Sequence, residues 1–90
     1  MAKRTVRGTD FLVQLGGRIR SIRQRREWTQ LRLAEEVGLH RSFIADVERG
    51  SRNVSILNLL HIATALGVSL SELLAHLPTR TGGRTGTRRS

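Results

Sequence analysis

The chain has 90 residues, no cysteine, and 16 Lys and Arg against 7 Asp and Glu, a formal charge of +9. That length holds one domain with a core near the lower limit for folding alone, and the lack of cysteine excludes disulfide staples and thiolate metal sites. No apolar run approaches the roughly 18 to 20 residues that span a bilayer, and the basic start MAKRTVRGTD lacks an apolar h-region, so a soluble, cytoplasmic protein without a membrane partner is expected. The first predicted element is a helix from about Phe11 to Arg26, capped by Thr9 or Asp10. Its inward stripe is Leu12, Leu15, Ile19, Ile22 and Arg23, spaced as one helical face. Gly16 and Gly17 each weaken a helix interior by up to about 1 kcal/mol, so close packing or a bend is expected there. Trp28, the only Trp, follows and closes the core.

Thr29 caps a second helix, Gln30 to Val37, and a third runs from Arg41 to Arg49. The fourth begins after Ser55 and ends at Leu66. The fifth opens at Ser69, whose SLSE pattern is a capping box, and stops at Leu77 before Pro78. Gly38, Gly50 and Gly67 punctuate three helix ends. No period-2 apolar alternation and no internal repeat appears, so the expected fold is an all-α, compact five-helix domain. Residues 1–9 form a basic arm, 10–77 the domain, and 78–90 a basic, disordered tail without an apolar residue after Pro78. Between Thr9 and Leu77 nine Arg face seven acids, so the tails hold most of the excess charge. They are either solvated or in weak, non-specific phosphate contact.

The most informative stretch is QLRLAEEVGLHRSFIADVER, Gln30 to Arg49. It reads as two short amphipathic helices joined at Gly38-Leu39-His40, with Ala34 small enough to let them meet and Gly38 suited to a left-handed turn. Ile44 and Val47 turn the second helix's apolar stripe inward. Arg41, Ser42, Ala45, Asp46 and Arg49 lie on the opposite face, suited to a DNA major groove. Arg41 has the fork for guanine O6 and N7, Ala45 is small enough to let the helix sink and to touch a thymine methyl, and Asp46 either accepts from cytosine N4 or orients Arg41 or Arg49. Arg49, Arg52 and Asn53 would reach the flanking phosphates, although Arg52 and Asn53 also suit an ordinary loop. Thr29 is a cap first and a phosphate ligand second. Gln30, beside the orphan N–H groups of the second helix, suits a phosphate. Phe43 covers the core edge or presses on the sugar-phosphate backbone.

Arg23 lies in the apolar stripe of the first helix and Glu48 beside Ile44 and Val47. Each is an error in a core unless paired, and the simplest solution is that they pair with each other. The fourth helix is apolar nearly all round, and the fifth adds more aliphatic surface than so small a domain buries by itself. Leu57, Leu60, Leu70, Leu73, Leu74 and Leu77 are therefore expected to face a second subunit, with half-sites about 34 Å apart. Phe11 and Leu12 either join that interface or simply pack. His40, His61 and His76 are dispersed and lack ligand-spaced partners, and no phosphate loop or nucleophile elbow is present. No catalysis, metal, cofactor or small-molecule ligand is expected.

Leu15 to Leu77 resembles the XRE family, the helix-turn-helix domains of lambda-type repressors and Cro. The blocks that carry this are LGGRIRSIRQRREWTQLRLAEEVG, RSFIADVERGSRNVS and LLHIATALGVSLSELL. The small size and the run ERGSRNVSILN are similar to controller proteins of restriction-modification systems. The resemblance implies a two-fold dimer on a partly palindromic operator, with Arg41, Ser42, Ala45 and Asp46 at base edges and Gln30 on a phosphate. It also implies a buried Arg–Glu pair at Arg23 and Glu48. His40 stands where the family has Ser, Thr or Asp; imidazole is a poorer cap, and His40 either touches phosphate or alters the docking angle. The expected function is a homodimeric, sequence-specific transcription regulator binding double-stranded DNA. An antitoxin with a toxin partner and a protein-interaction module are the alternatives.

Overall fold

The structure, a computed structural model, describes residues 7–77, and five helices and no strand occur among them. They are α1 (Gly8–Arg25), α2 (Gln30–Val37), α3 (Arg41–Arg49), α4 (Ile56–Leu66) and α5 (Leu70–Leu74). The basic tail expected at 78–90 and most of the arm expected at 1–9 lie outside the described residues.

Helix α1 starts earlier than its composition suggested. Arg7 is the N-cap, without a side-chain bond, and Thr9 and Asp10 stand inside the first turn. The reason is electrostatic: a carboxylate in the first turn faces the positive end of the helix dipole whether or not it caps. The sequence caps of α2, α4 and α5 are where they were expected. Thr29 Oγ1 accepts from Arg32 N at 3.0 Å, Ser55 Oγ from Asn58 N at 3.0 Å, and Ser69 Oγ from Glu72 N at 3.0 Å. The Ser69 box is complete, since Ser69 N donates to Glu72 Oε1 at 2.8 Å. These bonds, with the Arg18 charge nearby, hold the Glu72 carboxyl below its ordinary range. Helix α5 ends at Leu74, three residues short of the expected stop. Arg18 Nη2 donates to the Glu72 carbonyl at 2.9 Å, satisfying a last-turn acceptor, and the chain turns away through an extended Ala75 and a left-handed His76.

The core is assembled from all five helices: Leu15, Ile19 and Ile22 of α1, Leu33 of α2, Ile44 and Val47 of α3, Leu59, Ile62 and Leu66 of α4, and Leu73 of α5. Ala34 is buried where α2 meets α3. Gly38 closes α2 at φ 76°, a conformation that costs any residue with a Cβ. Gly16 explains itself by contact. A Cβ there would strike the backbone carbonyls of Val47 and Glu48, so α1 and α3 touch main chain to main chain. Gly17, by contrast, is exposed with nothing near its missing Cβ, and the packing expectation fails for it.

Leu73 must be removed from the expected subunit interface. It is 0 % exposed inside the protomer, because α5 lies against both α1 and α4 and turns this residue between them. Leu70, Leu74 and Leu77 are half-buried against the same core, whereas Leu57 and Leu60 are 56 % and 45 % exposed. Phe11 and Phe43 pack on the core margin, and Phe43 carries the Arg52 guanidinium 4.9 Å above its ring. Trp28 is half-buried between the guanidiniums of Arg26 and Arg32, each 4.6 Å from the ring centre.

Candidate nucleic-acid interface

Helix α3 divides cleanly. Ile44 and Val47 are buried, while Arg41, Ser42 and Arg49 are exposed. The helix is pinned from behind by α1 and α2, which fixes the direction in which its polar side chains project. Its N-cap residue, His40, is exposed and makes no capping bond with its side chain, so the imidazole is left facing solvent at the positive end of the helix.

Behind that face lies a connected set of polar side chains. Arg23 Nε and Nη2 donate to Glu48 Oε2 and Oε1 at 2.6 and 3.0 Å, a bidentate pair buried between α1 and α3. Arg23 Nη1 also donates to the Trp28 carbonyl at 2.6 Å. Glu48 Oε1 accepts a third bond, from Gln30 Nε2 at 3.0 Å, and Gln30 Oε1 in turn accepts from Arg41 Nη1 at 3.0 Å. Gln30 thus faces inward to two partners, and the exposed Arg41 is tied through it to the buried pair. Sequence reasoning placed Gln30 only against phosphate. An uncharged amide at a helix start carries no anomaly that would have marked it as a link.

The remaining candidates fall into two groups. Asp46 is half-buried and engaged, bonded to Arg49 and 3.5 Å from Arg52, which matches the orienting alternative rather than a free acceptor. Arg52 is held between Asp46 and the Phe43 ring. Asn53 is exposed beyond them, and Thr29 is used as a cap. Only 9 % of Ala45 is accessible, because a side chain ending at Cβ does not rise above its neighbours. It forms the floor of a concavity of about 400 Å³ whose rim holds Arg41 and Arg49 of α3 and Arg20 of α1. Arg20 was not among the expected residues; the signal available was its position one turn before Arg23 on the same helix.

This geometry, two helices joined by a left-handed glycine with the second presenting guanidiniums outward, is matched by known proteins. The HTH_3 family, helix-turn-helix, matches residues 19–73. The chain belongs to that family. It is 47 % identical over 60 residues to control protein C.BamHI of Bacillus amyloliquefaciens, covering 66 % of this chain and 74 % of that one. It is 43 % identical over 60 residues to the immunity repressor protein of Bacillus phage phi105, covering 67 % of this chain but only 42 % of the repressor. Among solved structures, the restriction-modification controller protein C.AhdI of Aeromonas hydrophila superposes with a TM-score of 0.68 at 47 % identity. That match covers 69 % of this chain and 94 % of C.AhdI. Membership makes the chain a DNA-binding regulator rather than an enzyme. Among the described residues no helix is long and apolar enough to cross a membrane.

Proposed function

We propose that this helix-turn-helix regulator acts as a cytoplasmic homodimer on a partly palindromic operator, and that the operon it controls is of the restriction-modification kind its relatives' names indicate. Helix α3 enters the major groove. Arg41 and Ser42 meet base edges there, Ala45 lets the helix approach closely, and Asp46 sets the directions of Arg49 and Arg52. Thr29, His40, Arg49, Arg52 and Asn53 surround that entry and take the sugar-phosphate backbone, which Gln30, its side chain engaged with Glu48 and Arg41, meets through its backbone N–H at the start of α2. The observation that carries the reading is the division of α3, with one side locked in the core and the other offering an anchored guanidinium at its first turn. Two copies related by a two-fold axis would meet through the exposed apolar face of α4. Leu57 and Leu60 are continuous there with Ile56, itself 63 % exposed and absent from the sequence-based set.

Arg41→Ala tests this directly. Selection from a pool of random duplexes by the wild-type protein should return a symmetric site. The variant should lose about 1–3 kcal/mol of discrimination at one base pair in each half-site while melting at the wild-type temperature. Unchanged preference in the variant would overturn the assignment and favour a protein-interaction module. Co-purification of a small toxin-like partner that displaces DNA would favour the antitoxin reading.

A further inference from the structure

Arg20 is exposed on α1, outside the helix-turn-helix pair, yet it lines the same concavity as Arg41 and Arg49. The carboxylates nearby are already committed. Glu48 takes two bonds from Arg23 and one from Gln30, and Asp46 engages Arg49 and Arg52. Among the described residues Arg20 has no carboxylate within ion-pair distance. Four arginines therefore line one hollow with a single carboxylate, Glu48: Arg23 is neutralised by it and Arg49 by Asp46 outside the lining, which leaves Arg20 and Arg41 there without an acidic partner among the described residues. Like charges gathered at a concave surface repel one another and raise the local potential, and an anion seated there relieves both effects.

Resting on the DNA-binding reading above, we propose that Arg20 is a DNA ligand: its guanidinium donates to a non-bridging phosphodiester oxygen of the strand that borders the groove entered by α3. The backbone, and not a base edge, is its target. Arg20 springs from a helix packed behind α3, so it lies at the side of the insertion rather than at its tip. Helix α1 becomes a third contacting element, and the concavity becomes the seat of one phosphate.

The test uses the full chain and the operator selected above, with affinity measured across a range of salt concentrations. Arg20→Ala should weaken binding about tenfold per half-site near about 0.15 M salt and lower the slope of log affinity against log salt by about 1.8, about 0.9 for each protomer of the dimer. The preferred sequence and the melting temperature should not change. Arg20→Lys should restore most of the slope. Arg25→Ala removes the same charge from an exposed position about 140° around α1 and should leave the slope near the wild-type value. Wild-type affinity and slope in Arg20→Ala would overturn the proposal. So would an altered sequence preference, or an equal loss in Arg25→Ala, which would mean a diffuse field instead of a contact. Discrimination that Arg41→Ala reduces as expected, with affinity and slope that Arg20→Ala leaves at the wild-type values, overturns the Arg20 contact alone. Failure of the wild-type protein to select any duplex overturns the DNA-binding reading with it.

Discussion

Glu48 accepts three hydrogen bonds and so joins stability to recognition. Two of them satisfy the buried Arg23, and the third holds Gln30, which holds Arg41. Glu48→Ala strands the Arg23 charge, and urea denaturation should show a loss of about 3–5 kcal/mol. Replacing both partners with apolar residues of similar volume should recover much of that, because the stranded charge and not the missing bond dominates the cost. A single-variant loss below about 1 kcal/mol would mean that solvent reaches Arg23 after all. This pair was legible from the sequence. A charge within an apolar stripe is an anomaly, and two anomalies on facing helices suggest their own solution. Gln30 and Arg20 were not legible in the same way, since each is an ordinary polar residue on a helix and its importance comes from what another helix places beside it.

At the scale of elements, the adjacent glycines of α1 separate propensity from packing. Both carry the helix-interior penalty of glycine, but only Gly16 faces a neighbour. Gly17→Ala should stabilise the protein by up to about 1 kcal/mol, read as a higher urea midpoint with unchanged slope. Gly16→Ala should destabilise by about 1–3 kcal/mol despite the same propensity gain, because the atoms met are backbone carbonyls that cannot rotate aside. Equal effects at the two sites would show that α1 does not approach α3 as closely as described. Helix identities and most caps were readable from spacing and from Thr29, Ser55 and Ser69. The ends of α1 and α5 were not. The start of α1 was free to slide by a turn because Asp10 is favourable at several positions. At the end of α5 the Glu72 carbonyl accepts from Arg18, which arrives from a helix 54 residues away in sequence and which no local pattern announces.

For the whole molecule, the question is how the apolar surface left over by the protomer is covered. Ile56, Leu57 and Leu60 form one exposed stretch on α4, while Leu73 is consumed by the core. The pair Leu57→Lys and Leu60→Lys together should convert a dimer into a monomer in sedimentation velocity, with helix content retained. Surface positions of this kind change protomer stability by only about 0.5 kcal/mol each. Operator affinity should fall with the loss of dimer, because each half-site is then bound alone. A dimer that survives both changes would place the two-fold axis elsewhere.

By itself the amino-acid order determined the helices, the turn between α2 and α3, the apolar face of each and the need of Arg23 for an acid. All of these follow from short-range periodicity and from the cost of burying an unpaired charge. Tertiary structure decided which leucines remain outside, that Ala45 forms the floor of a hollow, and that Gln30 faces the buried pair. It also brought Arg20 to the rim beside Arg41. The physical reason is common to all four. A helix's own sequence specifies its faces, but whether a face is covered, and by which side chain, depends on the angle and separation at which other helices pack against it.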